Sequence, residues 1–400
     1  MKFEKLKNIV EVKKGKKPSF VETPDKNSVR VLQIDDLRND TNPKFTNDKT
    51  GVFAKEDDVL IAWDGANAGT IGYGKSGYIG STIALLRKRQ PDLYSTTFIG
   101  IFLQSQYQYL RSKTTGATIP HISRKALDEL EVPVISVDDQ LHIANLLSKS
   151  ENLIAQRKES IRLLDEFLKS TFLEMFGDPV RNEKGWNKSE LKNYAKVRIG
   201  PFGSLLHRED YVQNGVPLVN PSHIGDGKIF IDLELTISKN KMKELSAYVM
   251  QEGDIVLGRR GEIGRCAVVT KKEEGYLCGT GSIYIRPITQ LNPIFIYNII
   301  SSASIRKVLE NSAKGITMKN LNSGIIENLK IPVPPIELQT QFAQIVEKTE
   351  AIKTQYQQSL QELENLYGSL SQRAFKGELS IKDESLLMAA EPSIEYNTNG

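Results

Sequence analysis

Residues 69–76 read GTIGYGKS and satisfy GxxxxGK[ST], the pattern of a loop whose backbone N–H groups and lysine, here Lys75, hold nucleotide phosphates. Such a loop has to follow a buried strand and open a helix whose N-terminus faces the phosphates. The residues that follow, GYIGSTIALLRKR, alternate and are rich in β-branched side chains, so they read as another strand. Gly69 then closes a turn after DGANA, and Gly74, Lys75 and Ser76 make the next hairpin turn. Other catalytic groupings are weaker still. Asp57 and Asp58 sit beside a strand, but no lysine follows at the short spacing a nuclease uses. His121, His142, His207 and His223 form no HExxH or similar metal pattern, and Cys266 and Cys278 have neither metal-ligand nor redox spacing. The two thiols read as ordinary strand residues in a reducing cytoplasm. No catalytic site and no metal site are expected.

The elements that must carry any function are written twice. LEVPV at 130–134 is echoed by LKIPV at 329–333, and QLHIANLL at 140–147 by QTQFAQIV at 339–346. TTGATIPHI at 114–122 approximates SAKGITMKN at 312–320, with Gly116 opposite Gly315 and Thr118 opposite Thr317. DVLIAWDGANAG at 58–69 parallels DIVLGRRGEIG at 254–264, and LKNIVEVKKGKKP at 6–18 resembles LKNYAKVRIGPFG at 191–203. Asp58 and Asp254 are thereby equivalent, and each is expected to stabilise the turn before a strand. The place equivalent to GTIGYGKS reads GRCAVVTKKEEG and lacks GK[ST], which weakens the phosphate-loop reading further.

Each copy is a mixed globular part of short strands and helices followed by a long helical segment. Ile143, Leu147, Ile154, Ile161, Leu164, Leu168 and Met175 recur close to every 3.5 residues. Their counterparts are Phe342, Val346, Lys353, Leu360, Leu363, Tyr367 and Ala374. The run from about 140 to 176 contains no proline or glycine and predicts a helix on the order of 55 Å long, stopped at MFGDP by Gly177 and Pro179. The connectivity predicts two antiparallel helices and a pseudo-twofold arrangement of the two halves. The apolar stripe reads as a coiled-coil core, and Phe167, Phe172 and Phe375, off that stripe, either face a partner or join the core.

Charge separates along the same lines. Residues 1–135 carry a net +5 and residues 180–333 a net +7, whereas the helical segments and residues 380–400 are acidic. Basic globular parts on an acidic spacer suit two modules that face nucleic acid. No run approaches the ~18 apolar residues of a membrane span, and the N-terminus MKFEKLKNIVEVKKGKK lacks the apolar centre of a signal peptide.

GPFGS at 200–204, MFGDPVRNEKGW at 175–186, TIPHIS at 118–123 and the pair VPVISVDDQ and IPVPPIELQ at 132–140 and 331–339 resemble the specificity subunit of type I restriction–modification systems. The resemblance runs over essentially residues 1–378 and includes the order domain, helix, domain, helix. It implies an α+β chain without catalytic activity of its own. Target recognition domains would occupy 1–135 and 180–333, spacer helices 136–179 and 334–379, and an acidic tail expected to be disordered 380–400. Each domain would read one half of a bipartite, asymmetric site in double-stranded DNA. The helices would set the gap and dock two modification (methyltransferase) subunits, which would bring S-adenosylmethionine. Restriction subunits, with ATP and Mg, would complete the nuclease. A methyltransferase in this chain itself would need an Asn/Asp-Pro-Pro-aromatic loop, and the nearest string, NPIF at 292–295, lacks the second proline.

Base readout needs Arg or Lys toward guanine and Asn or Gln toward adenine, while phosphates accept from Lys, Ser, Thr and backbone N–H. The loop clusters that qualify in the first half are Lys14, Lys16 and Lys17; Trp63, Asp64 and Asn67; and Thr115, Thr118, His121, Ser123 and Arg124. In the second half they are Ser204, His207 and Arg208; Asn220, Ser222 and His223; Arg259 and Arg260; and Lys314, Thr317, Lys319 and Asn320. Arg259 and Arg260 are neighbours between Gly258 and Gly261, so one of the two is expected to face DNA. Two other classes remain open: an ATP-dependent enzyme using Lys75, and a coiled-coil scaffold that binds protein alone.

Overall fold

DVLIA and DIVLG, the paired strings, each supply one of the two inner strands of a four-stranded antiparallel sheet. In the computed structural model the first sheet has the order Val10–Lys14, Ile83–Lys88, Val59–Ala62, Ile71–Tyr73. The second has the same order, Ala195–Ile199, Ser282–Pro287, Ile255–Gly258, Cys266–Val268. The structure describes residues 2–39, 41–116, 118–202, 205–225, 227–234, 236–288, 290–313 and 320–379. The expectation for the tail therefore lies outside the described residues.

Both inner strands are buried on both faces, which is why they read as unbroken apolar runs. Alternate residues serve two cores: Val59 and Ile61 pack with Phe98 and Phe102 of the helix Thr96–Ser105, and Leu60 and Ala62 with Leu32 and Ile79 of a second sheet. That second sheet contains a parallel pair in each half, Val29–Leu32 with Gly77–Ile79 and Val216–Val219 with Leu277–Cys278. The repeated glycine before each divergent loop has a packing cause. A Cβ on Gly15 would lie 2.3 Å from the Gly80 oxygen, and one on Gly200 1.9 Å from that of Gly279. Each globular part is closed by a short ladder between its first strand and the strand before a long helix, Phe3–Lys5 with Glu131–Pro133 and Lys188–Glu190 with Lys330–Pro332.

The equivalent aspartates do more than cap turns. Asp58 accepts from Lys55 N and Asp254 from Gln251 N, both at 2.8 Å, as the sequence suggests. Each also takes an arginine from the neighbouring strand, Arg87 Nε on Asp58 and Arg286 Nε on Asp254, again at 2.8 Å. Cys266 and Cys278 are buried strand residues, and burial pushes the Cys266 thiol up to about 12.

The first long helix is Val137–Phe176 and the second Ile336–Lys376. Gly177, at φ +75°, ends the first where the glycine–proline signal lies. The chain divides into two compact units, one comprising residues up to Lys158 together with those from Gln358 onward, the other Glu159–Gln357. Within each unit the two helices run antiparallel. In the first, Tyr367 Oη donates to Glu151 at 2.6 Å and Lys158 pairs with Glu364 at 2.7 Å. In the second, Phe172 and Phe176 meet Phe342 and Phe295 in an aromatic cluster. Phe172 is thus core, and Phe375 packs on Phe98 and Phe102, while Phe167 is 50% exposed.

A buried glutamine locks the start of each helix to its globular part. Gln140 Oε1 accepts from Ser95 N at 2.8 Å, and its Nε2 donates to Leu93 O and Ile135 O at 2.9 and 3.1 Å. Gln339 repeats the arrangement with Asn292 N at 2.9 Å, Gln290 O at 3.1 Å and Pro334 O at 2.8 Å.

Candidate nucleic-acid interface

The phosphate-loop geometry is not formed. Ile71–Tyr73 and Gly77–Ile79 flank the turn that holds Lys75, and no helix opens after it. The turn is also not a hairpin, as the alternation suggests, because its two strands enter different sheets. Gly74, at φ +68°, makes that change of sheet. Among the described residues no group of three or more His, Cys, Asp or Glu could hold a metal, and no helix is long and apolar enough to cross a membrane.

What the folded halves do present is a set of polar loops at the edge of each four-stranded sheet. In the first half the strand Val10–Lys14 ends on Lys14, and the strand Val59–Ala62 runs into the turn from Trp63 to Gly69. The loop before the short helix Arg124–Asp128 is drawn to that turn by backbone bonds from Ile122 N to Trp63 O and from Gly65 N to Pro120 O, both 2.9 Å. Thr115 and His121 exchange backbone bonds across the same loop. Asp64 is thereby placed between two donors, Lys14 Nζ at 2.7 Å and His121 Nδ1 at 2.6 Å. Burial raises the Asp64 carboxyl, but the bonds from Lys14 and His121 outweigh it and hold its pKa below the ordinary carboxylate value.

The remaining first-half candidates divide between engaged and exposed positions. Asn67 Oδ1 accepts from Arg38 at 2.8 Å, and the same guanidinium reaches Thr70 at 3.2 Å. Trp63 packs against the core. Ser123 caps the helix Arg124–Asp128 by accepting from Ala126 N, and Arg124 is bound by both oxygens of Asp128. Thr118 is exposed. Lys16 and Lys17 line a small recess with Asp48, Thr50 and Tyr78, separate from the Asp64 cluster.

In the second half the strand Ile255–Gly258 delivers Arg259 and Arg260 to the equivalent turn. Leu321 N donates to Arg259 O at 2.9 Å, matching the tether from Ile122 to Trp63. Arg259 is half-buried, and its Nε donates to Asn320 Oδ1 at 3.0 Å and Leu321 O at 3.2 Å; burial, then the neighbouring Arg260 charge, lowers its pKa. Arg260 is exposed. Pro221 lies over Gly258 and Gly281, so the turn Asn220–Ser222–His223 adjoins this loop. His223 is buried, its Nδ1 on Leu218 O at 2.8 Å, in the place that Asp36 fills in the first half. His223 is engaged inside the turn, Asn220 caps it, and Ser222 is the exposed member. His207 and Arg208 open a separate exposed turn closed by Asp210. Ser204, Lys314, Thr317 and Lys319 lie outside the described residues.

Sequence reasoning missed Arg38, whose contact with Asn67 spans 29 residues, and Asp64 as the centre of its cluster rather than a member. A lone carboxylate in a basic loop set was the available signal for the second.

A family model described as type I restriction modification DNA specificity domain matches residues 1–163 and 183–365. The MjaVIII type I restriction enzyme specificity subunit of Methanocaldococcus jannaschii is 24% identical over 92% of this chain and 91% of its own length. The EcoBI specificity subunit of Escherichia coli is 21% identical over 89% of this chain and 81% of its own length. The crystal structure of a type I restriction–modification S subunit from M. genitalium superposes with a TM-score of 0.59 at 18% identity, covering 94% of this chain and 96% of that one.

Proposed function

Because the chain belongs to the family of type I restriction–modification DNA specificity proteins, we propose that each of its two globular parts, residues 1–135 and 180–333, reads one half of a bipartite DNA site. The observation that carries this reading is one scaffold used twice with different side chains on its loops. The sheets, the aspartate–arginine pairs and the glutamine locks recur, whereas Trp63, Asp64 and His121 in one half give way to Arg259, Arg260 and Asn320 in the other. A repeated frame with divergent donors suits two different half-sites, hence an asymmetric target. Major-groove faces recur every ~34–36 Å along B-DNA. The 40-residue first helix, about 60 Å at 1.5 Å per residue, is of a length to act as a spacer between modules that meet nearby turns.

On this reading the chain is the recognition component and performs no chemistry. The long helices dock two modification subunits that use S-adenosylmethionine. Restriction subunits working with ATP and Mg complete the complex in the cytoplasm. Half-exposed Phe167 is available on the first helix for such docking. The test is a map of modified adenines in cells carrying the complete system. An interrupted, asymmetric sequence is expected; modification without sequence preference would leave a protein-only scaffold as the reading.

A further inference from the structure

The two loop clusters share one backbone frame. Ile122 N reaches Trp63 O and Leu321 N reaches Arg259 O, each at 2.9 Å, so Asp64 and Arg260 occupy equivalent places beside His121 and Asn320. In each half a charged group at least partly sheltered fixes a polar neighbour. Asp64, whose side chain is 15% exposed, holds Lys14 and His121, which are 49% and 46% exposed. Arg259, half-buried, holds Asn320 through its amide oxygen and leaves Arg260 outside. A bare carboxylate facing DNA would repel the phosphates. Clamped between a lysine and a histidine, it instead restrains two polar side chains that would otherwise sample many rotamers.

We propose that Asp64 and Arg259 are positioning residues for specificity: Asp64 orients Lys14 and His121, and Arg259 orients Asn320 beside Arg260, toward base edges in the major groove. This rests on the half-site reading above and adds which side chains set each half. The first half then presents Lys14, a donor suited to guanine O6 and N7, beside His121, whose Nε2 accepts when Nδ1–H is on Asp64 and so suits the amino group of adenine or cytosine. The second presents an arginine suited to guanine and an amide suited to adenine. The sheltered residue acts through its partners, so its loss should widen the sequences accepted without abolishing binding.

The test uses the full chain with its own modification subunits, mapping modified adenines in cells and measuring duplex binding across a salt series. Asp64→Asn is expected to relax discrimination by roughly ten-fold at positions within one half-site and to leave the other half-site unchanged. Adding His121→Gln to Asp64→Asn should relax it by less than about twofold more, because His121 acts in the orientation that Asp64 gives it. Arg259→Met should relax the other half-site only. His121→Gln, an exposed change, serves if Asp64→Asn fails to fold. The proposal is overturned if Asp64→Asn and His121→Gln both leave the target sequence intact. A uniform loss across all sequences with a shallower salt slope, which marks phosphate contacts, overturns it equally. In either case an exchange of residues 1–135 that still switched one half-site would leave the half-site reading standing.

Discussion

Replacing Gln140 by methionine keeps most of the side-chain volume and removes every hydrogen bond the amide makes. Ser95 N–H, Leu93 C=O and Ile135 C=O then lose their partner at the junction between the first helix and its globular part. These bonds are part-buried and each is worth about 1 kcal/mol, so three cost about 3 kcal/mol. For a unit of this size that corresponds to a fall in Tm of about 6–12 °C. Thermal unfolding by circular dichroism measures the total, and amide hydrogen exchange locates it. Ser95 N–H should exchange about a hundredfold faster while Asn292 N–H, held by Gln339 in the other unit, keeps its protection. Gln339→Met should give the mirror result. A Tm within about 2 °C of the parent for both variants, or equal loss of protection at Ser95 and Asn292, would refute the reasoning that these glutamines lock each helix to its own globular part.

Three further outcomes are expected. Phe172→Ala should cost about 3–5 kcal/mol because the ring is buried among Phe176, Phe295 and Phe342, whereas Phe167→Ala should stay within about 0.5 kcal/mol; chemical denaturation of both variants checks the contrast. Asp64 has a folded-state pKa below its unfolded value of about 3.9, so the stability it adds is complete above that value and lost as the pH falls through the lowered one. The stability difference between the parent and Asp64→Asn should therefore shrink between pH 5 and pH 3, and a difference that grew on acidification would reverse the sign. Calorimetric titration with ATP should give no heat of binding for the parent or for Lys75→Ala, since the turn around Lys75 joins two sheets.

The sequence made the scaffold legible where a physical constraint acts twice. Strings such as DVLIA and DIVLG repeat because each inner strand is buried on both faces, and the shared glycine of KKGKK and RIGPF repeats because a Cβ would strike a carbonyl. The same offset that aligned LEVPV with LKIPV also pairs Arg87 with Arg286 and Gln140 with Gln339, yet their partners lie far along the chain and carry no local signal. Polar loops were harder to read because side-chain type does not reveal engagement. His223 and Ser222 are adjacent, and one is buried in a turn while the other is exposed. Gly74 shows the same limit for backbone: alternation identified strands on both sides of GKS, but which sheet each joins is decided by tertiary pairing.

The half-site reading is tested most directly by exchanging residues 1–135 for the corresponding segment of another specificity subunit with a different target, then mapping modified adenines with the same partner subunits. One half of the recognised sequence should change to that of the donor, with the other half and the gap retained. A change in both halves, or in neither while the protein remains folded and active in modification, would contradict it.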